Sequence, residues 1–226
     1  DIGDAGPRAL DVSTAAERAE SAAMPVVPVP EVTVWEVFER QAEATPDAVA
    51  LTTSSDERYT YAELHAQACR LAAVLAGCGV GPETVVALAL PRSSRTVAAI
   101  LAVFAAGGAY LPLDITMPET RIESMLHQAN PRVVVTENGY SPPAGPWRTL
   151  VIDDPVEGAA SLPDVRRHAD QAAYVIFTSG STGEPKGVIG THAALLSYFA
   201  DHRDRVYRDA AARLGRPLRV AHAWSF

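Results

Sequence analysis

Lysine is nearly missing from this chain. Of its 19 basic residues, 18 are arginine and one is lysine, Lys186. Positive charge as a whole is scarce: the net charge is −8, which removes the basic surface that a non-specific nucleic-acid binder needs. Cysteine is scarce too, with Cys69 and Cys78 only. The pattern around them predicts one helix, on which nine residues at ~1.5 Å rise put the two about 13 Å apart on opposite faces. A disulfide needs Cα atoms within about 7 Å, so they do not pair there, and reduced thiols fit a cytoplasmic protein. Long apolar runs are limited to "TVAAILAVFAAGGAYLPL" at 96–113. Its length approaches a span of ~20 residues, but Gly107-Gly108 and Pro112 break it. It reads as a buried helix, a turn and a buried strand, so no membrane partner is expected. Residues 1–10 are polar and acidic, unlike a secretory leader.

What is present is globular in balance, with 48% apolar and 20% charged residues. Residues 1–31 are rich in Ala and Pro and close on "MPVVPVPE", the composition of an extended linker; a short helix within 13–23 fits the pattern. The compact part begins near Val32. "TVWE" at 33–36 is a capping box, with Thr33 as N-cap and Glu36 three residues on. From there apolar strands and helices alternate. Strands are expected at 48–53, 58–61, 84–90, 132–136, 149–153, 172–178 and 186–192, with helices at 61–78, 94–106, 119–129 and 192–213. Continuous β-branched runs separated by helices predict an α/β fold, a mostly parallel sheet flanked by helices on both faces. The last nine residues, "LRVAHAWSF", read as a buried strand that stops short. An unpaired apolar strand is a poor end for a natural domain, and the sequence is therefore expected to be a fragment.

The lone lysine sits in "FTSGSTGEPKG", residues 177–187. That stretch holds four hydroxyl residues (Thr178, Ser179, Ser181, Thr182) and three glycines (Gly180, Gly183, Gly187). Glycines allow backbone N–H groups to converge on an anion, hydroxyls donate to phosphate oxygens, and an ammonium adds a compact charge. The order differs from the G-x-x-x-x-G-K-[ST] phosphate loop. Pro185 stands before the lysine and forbids a direct run into a helix. The frame is strand–loop–strand, so the loop must bind without a helix N-terminus. An ordinary hairpin turn also uses Ser, Thr and Gly, and an arginine-biased composition would strand one lysine anywhere. The density of these residues within one loop favours phosphate. Among the histidines, His192 suits a helix start or packing better than catalysis, Trp35 suits packing, and no spacing suits a metal.

"AYVIFTSGSTGEPKGVIGTH" (173–192) resembles the signature of adenylate-forming enzymes. "YTYAELHAQACRLAAVLAGCGVGPETVVAL" (59–88), "AVFAAGGAYLPLDITMPETRI" (102–122) and "FERQAEATPDAVAL" (38–51) resemble successive motifs of non-ribosomal peptide synthetase adenylation domains, in family order. The resemblance covers about 32–226 and implies the N-terminal part of a large adenylation core, with 1–31 as the linker after a condensation domain. It implies ATP-dependent activation of an amino acid as aminoacyl-adenylate with release of pyrophosphate. Transfer to the phosphopantetheine thiol of a peptidyl carrier protein follows. ATP and Mg2+ are the implied cofactors, and many such domains also need a small MbtH-like protein. Thr178, Ser179, Gly180, Ser181, Thr182, Gly183 and Lys186 map onto the family's loop over the ATP phosphates. Ala105 and Phe177 depart from the family's usual Lys and Tyr. The family's amine-anchoring Asp, metal-binding segments and catalytic Lys have no counterpart in these 226 residues, so the segment alone is expected to be inactive. An acyl- or aryl-acid CoA ligase and a non-catalytic docking module are the rival readings.

Overall fold

The computed structural model describes residues 14, 31–153, 162, 164–179, 185–215, 218 and 220. The linker over 1–31, the short helix within 13–23 and the terminal strand fall almost wholly outside these residues. Helix α1 (Val34–Ala44) starts at the expected capping box: Thr33 Oγ1 accepts the Glu36 amide, and the Glu36 carboxylate accepts the Thr33 amide at 2.6 Å. A small antiparallel pair follows, β1 (Val49–Thr52) with β2 (Arg58–Thr60). Helix α2 (Tyr61–Gly77) begins at a second capping box, Thr60 with Glu63, which the strand reading of 58–61 passed over. Its first residue is Tyr61, so the tail of that expected strand belongs to the helix.

The main sheet has six strands in the order β6-β5-β3-β4-β7-β8. They are β3 (Val85–Ala89), β4 (Ala109–Pro112), β5 (Val133–Thr136), β6 (Arg148–Val151), β7 (Ala172–Ser179) and β8 (Pro185–Thr191). Every neighbouring pair is parallel except β7 with β8. Helices α3 (Ser94–Ala105) and α4 (Glu119–Ala129) make the crossovers β3→β4 and β4→β5. The suspicious run 96–113 is thus a buried helix, a Gly-Gly turn and a buried strand. No helix among the described residues is long and apolar enough to cross a membrane.

Period-two alternation divides the core between the two faces of the sheet. Val86, Leu88, Val133 and Val135 join Trp35, Leu71, Leu75, Leu101 and Phe104 on the face covered by α1, α2 and α3. Ala87, Ala89, Leu111, Val134 and Val175 join Ile122, Met125, Leu126 and Trp147 on the face covered by α4. Both faces are dry, which is why these strands read as continuous apolar runs. The helix expected over 192–213 is α5 (His192–His202) and α6 (Arg208–Leu214), joined by a π-helical turn at Arg203–Tyr207. Both cysteines are free, Cys69 buried within α2 and Cys78 at its C-cap.

Candidate functional site

The loop with the lone lysine is carried by the β7–β8 hairpin, the strand–loop–strand frame expected from Pro185. Residues 180–184 lie outside the described residues, and with them Gly180, Ser181, Thr182 and Gly183. The structure does place Thr178 and Lys186, and the backbone of Ser179. Thr178 is in register with Lys186, and Ser179 with Pro185. Directly opposed residues project to the same face of an antiparallel pair, so Thr178 and Lys186 share one face. The Thr178 hydroxyl donates to the Lys186 carbonyl at 3.4 Å. Lys186 is exposed, and among the described residues no carboxylate pairs with it.

The sheet decides where this hairpin end points. β3, β4, β5 and β7 run in one direction, so their carboxyl ends share an edge. The chain leaves β3 for α3 on one face and β4 for α4 on the other. Such a divergence opens a crevice at the carboxyl edge, the usual ligand position in open α/β sheets. β7 adjoins β4, so Thr178 and Lys186 stand beside that crevice. Asp114, just past β4, lies at the same edge. Its carboxylate accepts the Thr116 hydroxyl at 2.6 Å and the Thr116 amide at 2.9 Å. Those bonds, with help from Arg92, hold its pKa below the usual carboxylate value. Among the described residues no group of three His, Cys, Asp or Glu is placed to hold a metal ion.

Several residues that sequence reasoning did not single out position the hairpin. Glu83 sits at φ +59° and its carboxylate accepts the Ala172 amide at 3.2 Å, which pins the start of β7. The two are 89 positions apart, and no local pattern announces such a pair. Tyr174 lies flat over Gly190. A Cβ at Gly190 would come 2.1 Å from the Tyr174 Cζ, so glycine is required there. The two departures from the family pattern are also accounted for. Ala105 is wholly buried, and its carbonyl accepts the Arg167 guanidinium at the end of α3, Nε at 3.2 Å. Phe177 packs into the core on the α4 face.

His192 is buried at the start of α5, against Phe104 at 5.0 Å between ring centroids. Its Nδ1 accepts the Val34 amide at 3.4 Å, joining α5 to α1. Burial pushes its pKa down to about 4, against a small opposing pull from Glu36. A neutral, packed imidazole of this kind is structural, as the sequence suggested. His65 stacks on Trp35, and Cys69 Sγ lies 3.7 Å from its ring nitrogens. Burial raises that thiol to about 11, so it is no nucleophile. At the opposite, amino edge of the sheet, a groove of about 470 Å³ is lined by the end of α2, Arg132, Pro146 and Arg148. There Arg132 Nε caps the Cys78 carbonyl at 3.2 Å, a helix-terminus role.

Residues 38–226 match the AMP-binding enzyme family. The chain belongs to that family. It is 41% identical over 185 residues to a probable non-canonical nonribosomal peptide synthetase, CymA, of Salinispora arenicola, covering 78% of this chain and 2% of CymA. The AMPPNP-bound crystal structure of the nonribosomal peptide synthetase FmoA3 superimposes with a TM-score of 0.76 at 34% identity, covering 85% of this chain and 21% of that one. An artificially fused adenylation–PCP di-domain from Klebsiella oxytoca, NpsA-ThdA, gives 0.65 at 30% identity, covering 74% and 34%. The likeness is thus to peptide-synthetase adenylation domains, and the expected α/β architecture is theirs. The chain spans 2% of CymA and 14% of the phosphinothricin tripeptide synthetase PhsB, two of the curated relatives it matches.

Proposed function

We propose that residues 32–226 are the N-terminal part of an amino-acid-activating adenylation core, with 1–31 as its leading linker. The reaction joins an amino acid carboxylate to the α-phosphate of ATP and releases pyrophosphate. The aminoacyl group then passes to a carrier-protein phosphopantetheine thiol. The observation that carries this is the β7–β8 hairpin, which sets Thr178 opposite Lys186 at the crevice edge of a parallel sheet. Its donor set fits a polyphosphate: an exposed ammonium without a carboxylate partner among the described residues, beside a hydroxyl. ATP supplies the phosphoanhydride whose cleavage drives the reaction, with Mg2+ as its counter-ion. Lys186 lowers the barrier by offsetting the charge that gathers on the leaving pyrophosphate. Thr178 steadies the strand from which Lys186 projects, through its bond to the Lys186 carbonyl. Gly180, Ser181, Thr182 and Gly183 complete the loop with backbone and hydroxyl donors, and Ser179 belongs to the same donor set. A peptidyl carrier protein receives the product, a condensation domain precedes the linker, and an MbtH-like protein is a further partner. The protein works in the cytoplasm.

The test is amino-acid-dependent ATP–pyrophosphate exchange by a polypeptide containing the complete adenylation domain. One lost charge-assisted contact costs ~1.5–3 kcal/mol, or roughly ten- to a hundredfold in rate. Lys186→Ala therefore slows exchange by about that factor at unchanged melting temperature, and Lys186→Arg restores only part of it. Wild-type rates for Lys186→Ala would reduce the lysine to an accident of composition. Exchange with aryl or fatty acids in place of amino acids would shift the reading to a CoA-ligase type of substrate.

A further inference from the structure

β6 closes one end of the six-stranded sheet, with β5 as its neighbour. The Arg148 and Ile152 amides donate to the Arg132 and Thr136 carbonyls on the β5 side, at 3.1 and 2.9 Å. A strand alternates the direction of its backbone groups from residue to residue, so the N–H and C=O groups of Thr149 and Val151 point away from β5. Among the described residues no hydrogen bond reaches them. Natural edges are blunted by charge, proline, a bulge, a covering element or simple shortness. β6 has its shortness and one charge, Arg148, and three of its four residues are exposed.

The side chains of β6 divide by face. Arg148 and Leu150 are in register with Val133 and Val135, on the α2 side of the sheet. Thr149 and Val151 are in register with Val134 and Thr136, on the α4 side, and Val151 is 50% exposed. Arg148 lines the amino-edge groove together with Arg132. A second groove of about 570 Å³ continues from Arg132 past Asn130 to Glu83. Glu83 is turned to the Ala172 amide, and among the described residues no carboxylate pairs with Arg132 or Arg148. On a chain of net charge −8 this edge is a local reversal of sign. Asp153 follows the other end of β6, where its carboxylate accepts the Asn138 amide at 2.7 Å.

We propose that the free edge of β6 receives an extended segment of a neighbouring polypeptide, acidic toward its carboxyl end. The segment runs antiparallel to β6, the more stable pairing, and its backbone meets Thr149 and Val151 by strand addition. Its two acidic side chains reach Arg148 and Arg132, and an apolar side chain lies beside Val151. The antiparallel order keeps the acidic end away from Asp153. A second copy of this chain fits less well: it would offer the two arginines one carboxylate, Asp153, already bound to the Asn138 amide. The arginines lie at the amino edge, opposite Thr178 and Lys186, so docking leaves the crevice open and does not depend on the phosphate reading.

The probe is a blocked peptide of alternating valine and threonine with two glutamates at its carboxyl end, added to a polypeptide containing the complete adenylation domain. At saturation it slows hydrogen exchange at the Thr149 and Val151 amides by about tenfold or more, while Leu150 and Ile152, whose amides face β5, change little. Arg148→Glu weakens binding by roughly two- to tenfold at low salt, and less as salt screens the pair. Thr149→Pro deletes an outward amide that the sheet does not use. It weakens binding by roughly three- to tenfold at an unchanged melting temperature. Amino-acid-dependent pyrophosphate exchange keeps its native rate in both variants. Absence of protection at Thr149 and Val151, or an affinity indifferent to Arg148→Glu, overturns the proposal. Concentration-dependent protection of the same amides without peptide assigns the edge to a second copy, and displacement of the peptide by inorganic phosphate assigns the arginines to a small anion; either result overturns it as well.

Discussion

Acid should strip stability from this protein through His192. The imidazole is about 1% exposed, and its Nδ1 accepts the Val34 amide, so the ring is neutral with its proton on Nε2. Burial holds its pKa near about 4, against a reference value of 6.5. The folded value is the lower one, so the unfolded chain takes up the proton first. The contribution of His192 is complete above the unfolded pKa and is lost as pH falls toward the folded one. Linkage between those two values gives a loss on the order of 1 kcal/mol by about pH 5.5, growing to on the order of 3 kcal/mol by about pH 4. Glu36 and Asp114 also have lowered pKa values and lose stability in acid. The measurement must therefore be a difference. His192→Asn keeps an acceptor near the Nδ1 position and does not titrate. Denaturant midpoints of native and Asn proteins, taken from about pH 8 down to about pH 4, should diverge in acid, the native falling faster by the amounts above. Parallel curves would show that the imidazole reaches solvent before the fold opens, and the buried-neutral account of the α1–α5 junction would fail.

Two further outcomes follow from packing. Gly190→Ala forces a Cβ to 2.1 Å from the Tyr174 ring, and overpacking of that kind costs about 1–3 kcal/mol. The loss should appear in the melting curve and shrink when Tyr174→Leu is added; an unchanged melting temperature for the single variant contradicts the contact. Alkylation near pH 8 should label Cys78 well before Cys69, whose thiol is buried and raised to about 11. Peptide mass spectrometry reads the order, and equal labelling of the folded protein would refute it.

Much of this protein is legible in the sequence because its signals are local. Thr33 and Glu36 announce α1, the continuous Val and Ala runs at 84–90 and 132–136 announce strands buried on both faces, and Pro185 announces a hairpin in place of a helix after the glycine loop. Thr178, Ser179 and Lys186 could be chosen from residue types alone, since hydroxyls and an ammonium are chemistry before they are geometry. The second capping box at Thr60 was equally local and was hidden only by the β-branched and aromatic residues around it. Other features exist only once the chain is folded. Strand order brings β7 beside β4, and that alone sets Thr178 and Lys186 at the edge where the connections of β3 and β4 diverge. Glu83 reaches Ala172 across 89 residues, and Gly190 is required by a ring from the neighbouring strand. A sequence states what each residue can offer; which residues are offered to one another depends on long-range pairing, and only the closed sheet decides that.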